Sequence, residues 1–418
     1  MHAQSFLDAI GSAHSAETRT LLTVGFGLVQ QYHAIRDRGF DASVDDAALA
    51  ALRAQLDTLS PLDREVMALR AIADALPHWD ASAASAFGRR LVYTTLLQYG
   101  QALFGRAAAT LAVTVLELVA VHAELDGEDG LSAQARLLCG FAWRTLGDWD
   151  ASRQAYERAY ELSRSAGELT IAIRTRVGLG YNASARGDLP GARALLRATA
   201  TRAARLAPEA LPYVYLAQAN LESISGQYEE AVALCYRARQ AAGADEEMQY
   251  ASMVDLAQCL VDYGAPDVAE KALRAVLLSD LDVRHKIQTK IHLLLLSATL
   301  RREGDFAALR DDLVPAPFTV RQRALYHLYV AQGLRTFGKL DDARTSADTA
   351  LSVAREHSLF QLMFQAEEEV RAIEAAASQA HRVREEVLEA APRAPRMSRR
   401  LERIAGAIST MLEAPAAV

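Results

Sequence analysis

Little in this 418-residue chain would interrupt a helix or build a sheet. Proline occurs 11 times and glycine 23 times, and long stretches hold no breaker at all, which disfavours an all-β fold with its closely spaced turns. Cysteine is nearly absent: Cys139, Cys235 and Cys259 are an odd set without CxxC spacing, so neither a disulfide framework nor a thiolate metal site is expected. Reduced thiols in a cytoplasmic protein fit that usage. Long hydrophobic runs are missing too. The longest, 107–121, is broken by Glu117 and falls short of the roughly 20 residues that cross a bilayer. Residues 1–15 lack the basic start, apolar stretch and small-residue cleavage site of a signal peptide, and none is expected. Positive charge is not in excess. The formal net charge is −7 and lysine is confined to Lys271, Lys286, Lys290 and Lys339, so there is no overall electrostatic footprint for nucleic acid.

What is present is a soluble composition, 51% hydrophobic and 23% charged, dominated by Ala, Leu and Arg. Length alone would suggest two or three domains, but an array of stacked units grows this long without an internal boundary. Such an array is legible. Gly147-Asp148-Trp149, Gly187-Asp188-Leu189, Gly226-Gln227-Tyr228, Gly264-Ala265-Pro266, Gly304-Asp305-Phe306 and Gly338-Lys339-Leu340 each lie between two amphipathic stretches, with steps of 40, 39, 38, 40 and 34 residues. A glycine there adopts φ > 0 freely, and Asp148, Asp188 or Asp305 can cap the following helix. Small residues recur at fixed offsets: Gly140, Gly180 and Ala257 before the turn, Ser152, Ala192 and Ala231 after it, with Leu309 an exception. Small side chains let paired helices approach closely.

Across residues 133–356 these positions resemble the tetratricopeptide repeat, in its longer-helix form; the nearest match is Leu138-Cys139-Gly140-Phe141-Ala142-Trp143 followed by Gly147-Asp148-Trp149 and Ala155-Tyr156-Glu157-Arg158-Ala159. The resemblance implies an all-α fold, a right-handed α-solenoid of helix–turn–helix repeats with an N-terminal helical cap. Residues 1–80 are expected to form the cap, with helices at 16–36, 44–59 and 61–76, and Ser60, Pro61 and Asp63 marking a helix start. Residues 81–378 would be the repeat solenoid, beginning with a degenerate pair around Gly105 and closed by a capping helix at 359–377. Residues 379–418 would be a helical tail with an Arg-rich segment, Arg393, Arg396, Arg399, Arg400 and Arg403, beyond a linker at 391–395. Pro315 and Pro317 should shorten the second helix of the fifth pair.

Several motifs dissolve into this register. Gly333 to Leu340 approaches the phosphate-binding loop, but Leu340 replaces the hydroxyl that would hold Mg²⁺. Gly178-Leu179-Gly180-Tyr181-Asn182-Ala183 imitates a dinucleotide fingerprint without the strand it requires. Leu59-Ser60-Pro61-Leu62-Asp63-Arg64-Glu65-Val66 resembles the opening of a helix-turn-helix module, yet no basic recognition helix follows. His285 and His292 share a helical face, with His327 one repeat on, but the spacing is not that of a metal site. Asp126-Gly127-Glu128-Asp129-Gly130 lacks the ligand alternation of a calcium loop and reads as a solvated turn. No catalytic set, metal or cofactor is expected.

In tetratricopeptide proteins the first helix of each pair lines a concave groove, which commonly binds peptides. Carried over by register, that surface would hold Phe141, Arg144, Tyr181, Ser184, Tyr213, Asn220, Gln258, Asp262, Arg301, Gln332 and Arg335. Amides suit an extended backbone, arginines hold carboxylates, and tyrosines give rigid contact area. Alanine at Arg144, Asn220 or Arg335 should then weaken binding and leave stability unchanged. The expected function is a protein- or peptide-binding scaffold acting through the groove, with no membrane or nucleic-acid partner. The alternative is a peptide-responsive intracellular sensor that changes shape on binding and controls a partner protein.

Overall fold

The computed structural model describes residues 2–13, 16–38, 44–59, 63–79, 86–105, 108–279, 283–316, 318, 320–356, 359–382, 401 and 403–406. The described residues are helices and their connections, and the chain divides into two compact units, Met1–Asn182 and Ala183–Val418. The first unit contains α1 (His2–Ser12), α2 (Ala16–Arg38), α3 (Asp46–Leu56), α4 (Arg64–Ala75), α5 (Ala86–Gly105), α6 (Ala109–Leu125), α7 (Asp129–Thr145), α8 (Trp149–Ser165) and most of α9 (Leu169–Ala185). The second contains α10 (Leu189–Leu206), α11 (Leu211–Ile224), α12 (Tyr228–Ala241), α13 (Glu246–Tyr263), α14 (Pro266–Leu277), α15 (Val283–Thr299), α16 (Glu303–Leu313), α17 (Val320–Thr336), α18 (Leu340–Glu356) and α19 (Phe360–Arg382). Within each unit neighbouring helices pack as hairpins, as in α6 with α7, α7 with α8, α11 with α12 and α17 with α18, and first helices also touch first helices, as in α5 with α7, α11 with α13, and α15 with α17. Among the described residues no helix is long and apolar enough to cross a membrane.

Each hairpin follows from its turn. At Gly147, φ is 80°, its N–H donates to Arg144 O at 3.1 Å, and Asp148 N donates to Trp143 O at 3.0 Å, so the last carbonyls of α7 are satisfied. The Asp148 carboxylate then accepts from Ala151 N at 2.9 Å and starts α8. Gly187 and Asp188 repeat the device for α10. The fifth turn departs from the expectation. Arg301, not Gly304, is left-handed, with φ 56°; Arg301 N donates to Ala298 O at 3.0 Å and Arg302 N to Ser297 O at 2.9 Å. Gly304 and Asp305 lie inside the first turn of α16, and Asp305 caps nothing. With this turn the last steps become regular, 37 residues from Gly264 to Arg301 and 37 from Arg301 to Gly338. The residue five beyond the turn is therefore Phe306, and Leu309 is no exception: it packs half-buried beside the core. Phe306 is accommodated by Gly333 on α17, where any Cβ would run into its ring. α16 stops at Leu313, short as the prolines required; Pro317 lies outside the described residues.

Packing within the first unit explains its small residues. The Tyr156 ring, almost fully buried, sits between Gly140 on α7 and Gly178 on α9; a Cβ on Gly140 would come within 2.5 Å of the ring. Ser152 Oγ donates to Gly140 O at 2.7 Å and accepts from Asn182 Nδ2 at 3.0 Å, a buried polar link across α7, α8 and α9. Gly178 of the nucleotide-like motif is thus a packing position. Gly178→Val should cost about 1 to 3 kcal/mol through overpacking, read as a shift in the urea unfolding midpoint. A midpoint equal to wild type would mean that Tyr156 is free to move.

One apolar cluster runs from Phe6 on α1 to Ala155 on α8 and includes Leu28 and Tyr32 of α2, Leu69 of α4, Leu96 of α5 and Leu116 of α6. Asp63 caps α4 through Glu65 N at 2.7 Å; Ser60 and Pro61 lie outside the described residues. Asp126 is not the solvated turn residue the sequence suggests. Its carboxylate accepts from Arg36 Nη1 at 2.9 Å, Arg36 Nη2 at 3.1 Å and Tyr93 Oη at 2.5 Å. Tyr32 Oη lies 2.6 Å from His122 Nδ1, and Trp79 meets the rings of Tyr32 and Tyr93 edge-on. A polar network therefore ties α2 to α5 and to the end of α6.

Burial, helped by Arg36, pushes the His122 imidazole down to about 4, and burial followed by Arg321 does the same to His292. In the unfolded chain each histidine titrates near 6.5. Between the two values the unfolded chain binds protons that the native chain does not. The contribution is therefore complete above about pH 6.5 and is lost as the pH falls toward 4, by up to about 1.4 kcal/mol per pH unit for each histidine. Asp255, exposed at its side chain yet raised to about 6 by the protein around it, acts in the opposite sense over much of the same window. Two histidines outweigh one aspartate, so the urea midpoint should fall between pH 7.5 and pH 5, and fall less in His292→Gln. A flat profile would contradict neutral burial of these rings.

Candidate functional site

The sequence-derived residues are distributed over both units, and each unit makes its own arrangement of them. In the first, α7 and α9 bring three together. The Arg144 guanidinium carbon lies 4.5 Å from the centroid of the Tyr181 ring and 5.1 Å from that of Phe141. Phe141 is 41% exposed, and its ring is met edge-on by Phe104 of α5 at 5.0 Å. The four residues form a strip of aromatic faces with one cation set into it. No carboxylate among the described residues pairs with Arg144, although arginine pairs are common elsewhere in the chain. Stacking fixes the plane of the guanidinium while leaving its N–H edge open, the geometry that binds a carboxylate through two parallel hydrogen bonds. Phe104 was not among the residues read from the sequence; it sits near the end of a degenerate pair where the turn signature is weak.

In the second unit the expected residues separate. Ser184, at the end of α9, has a buried Oγ without a hydrogen-bond partner among the described residues. Tyr213 is half-buried and Asn220 exposed on α11. Gln258 Nε2 donates to Asp262 Oδ1 at 3.0 Å, so this pair on α13 is engaged with itself. Arg301 is the turn residue described above and sits three positions beyond the register equivalent of Arg144. Arg335 is also engaged. Its Nε and Nη2 donate to Glu369 Oε1 and Oε2 of α19 at 2.6 and 3.1 Å, and the Glu369 side chain is 4% exposed. This hydrogen-bonded pairing holds the guanidinium more firmly protonated than usual.

Next to that pair, between α17 and α19, is an open depression of about 300 Å³ lined by Tyr329, Gln332, Gln365, Glu368 and Glu369. Glu368 and Gln365 are exposed, so the wall offers amides and a carboxylate to a backbone or to a basic group. From the sequence, α19 is expected only to cap the array. His285 contacts Glu247 at 3.0 Å and stacks near Tyr250, while His292 approaches Gln288 and Tyr329. Among the described residues no group of three metal-ligating side chains converges. The three cysteines are free and buried, and burial pushes the Cys139 thiol upward. A protonated thiol inside the core is a poor nucleophile.

No protein-family model matches the chain, and no curated protein matches it. Solved structures with similarity include a Rap conjugation gene regulator of the plasmid pLS20 in complex with the Phr* peptide, 15% identical, with a TM-score of 0.43 over 87% of this chain and 97% of that one. A Rap protein complexed with competence and sporulation factor is 11% identical, with a TM-score of 0.35 over 86% of this chain and 99% of the other. The tetratricopeptide domain of P58(IPK) is 13% identical, with a TM-score of 0.22 over 94% and 98%.

Proposed function

We propose that this protein binds an extended peptide or protein segment, and that a carboxylate of the ligand is held at Arg144. The observation that supports this most is the guanidinium stacked on Phe141 and Tyr181 with its hydrogen-bonding edge unspent. A charge oriented in advance needs little reordering when the ligand arrives, which is where binding energy is otherwise lost. Phe141 and Phe104 supply adjacent apolar area for a neighbouring side chain. A chemical step is not part of the proposal: burial pushes the Cys139 thiol upward, and among the described residues no group of three metal-ligating side chains converges. A reducing cytoplasm suits three free thiols.

The test is selection from a random peptide library over the full chain. Recovered peptides should share an Asp, a Glu or a free C-terminal carboxylate beside an apolar residue, and Arg144→Ala should recover none of them. Selection of the same peptides by wild type and Arg144→Ala would remove this site from the function.

A further inference from the structure

Leu401 and Ile404 are only 1% and 7% exposed, although they belong to the chain's C-terminal segment. Both are members of the apolar cluster that α11 to α15 build in the second unit, together with Leu216, Met253, Leu256 and Leu273, and Ala405 packs at its margin. Residues 401 and 403–406 are helical, so two buried side chains three positions apart place one helical face on that cluster. The sequence continues this apolar spacing with Ile408 and Leu412.

We propose that this surface of the second unit is a docking site for a short amphipathic helix, and that the chain's own C-terminal segment is its reversible occupant. The hydrophobic anchors are Leu401 and Ile404. A segment tied to the same chain has an effective concentration on the order of millimolar, so it can hold the site with a weak contact and still be exchanged. A partner helix with the same Leu-x-x-Ile spacing would compete with it. This surface is separate from Arg144, so either assignment can fail without the other.

The probe is a fluorescent synthetic peptide of residues 397–412, titrated into the full chain and into Leu401→Asp/Ile404→Asp. The double variant, its own segment released, should bind the peptide at least about ten-fold more tightly than wild type. A peptide bearing the same two substitutions should bind neither protein. Equal binding to both proteins, or none to a folded variant, would overturn the proposal. Should the variant not fold, hydrogen exchange on wild type decides. Amides at 403–406 should exchange faster than those of α13 and at least about ten-fold more slowly than in the free peptide. Exchange as slow as α13 would make the segment a fixed part of the core, and exchange as fast as the free peptide would mean it does not dock.

Discussion

Replacing Asp126 with alanine should lower the unfolding free energy by about 3 kcal/mol. Burial alone would raise the Asp126 carboxyl, but hydrogen bonds from Arg36 and Tyr93 outweigh it and hold the group below the usual carboxylate range. Arg36 and Asp126 side chains are each only 18% exposed, so the variant strands a guanidinium among Tyr32, Tyr93 and His122 with no anion to meet it. An uncompensated buried charge is the costly outcome, more so than loss of the pair as a whole. Arg53 and Asp74 form an ion pair of the same 2.9 Å length at the surface, and Asp74→Ala should cost under about 1 kcal/mol. Urea unfolding of the two variants side by side makes the comparison. Equal losses would mean that the network tying α2 to α5 and α6 does not anchor the first unit.

Arg335→Ala should cost about 2 kcal/mol of stability, whereas Arg144→Ala should leave the unfolding midpoint nearly unchanged. Both arginines stand three residues before a turn glycine, and from the sequence both are groove residues of equal standing. Their surroundings separate them. Arg335 neutralises Glu369, which is almost wholly enclosed and would be left as a buried unpaired carboxylate. Arg144 rests on ring faces and leaves nothing buried when removed. Glu369→Gln should rescue part of the loss in Arg335→Ala, because the charge that lacks a partner is then gone. Similar midpoints for the two arginine variants would contradict the pairing, and failure of rescue would place the cost in packing.

The repeat was readable because its turns are local. A glycine with φ > 0, an aspartate cap and a fixed distance to small residues are all set by neighbours in sequence, and Gly147 with Asp148 shows the full set. The fifth turn shows the limit of that reading. Gly304 satisfied the pattern, but an Arg in the left-handed region satisfied the backbone, at the modest strain a non-glycine residue pays there. Nothing adjacent in sequence reveals the choice; Phe306 facing Gly333 does, and those two residues meet only in the fold. Long-range partners were hidden for the same reason. Glu369 lies 34 residues from Arg335, and Asp126 lies 90 from Arg36. The stacking of Arg144 on Tyr181 was reachable from register, since both sit on first-helix faces of successive pairs, whereas Phe104 was lost with the weak signature of its own pair. The arginines at 393, 396, 399 and 400 lie outside the described residues, while the apolar face beside them became visible through Leu401 and Ile404.

A calorimetric double-mutant cycle on a library-selected acidic peptide tests the central claim most directly. Its four corners pair wild type and Arg144→Ala with the peptide and with its carboxylate-to-amide analogue. Each single change should weaken binding about ten-fold or more, and the two together should weaken it little further, because both remove one charge-assisted contact. Losses that simply add would show that the carboxylate is bound elsewhere, and undiminished affinity in Arg144→Ala would contradict the account.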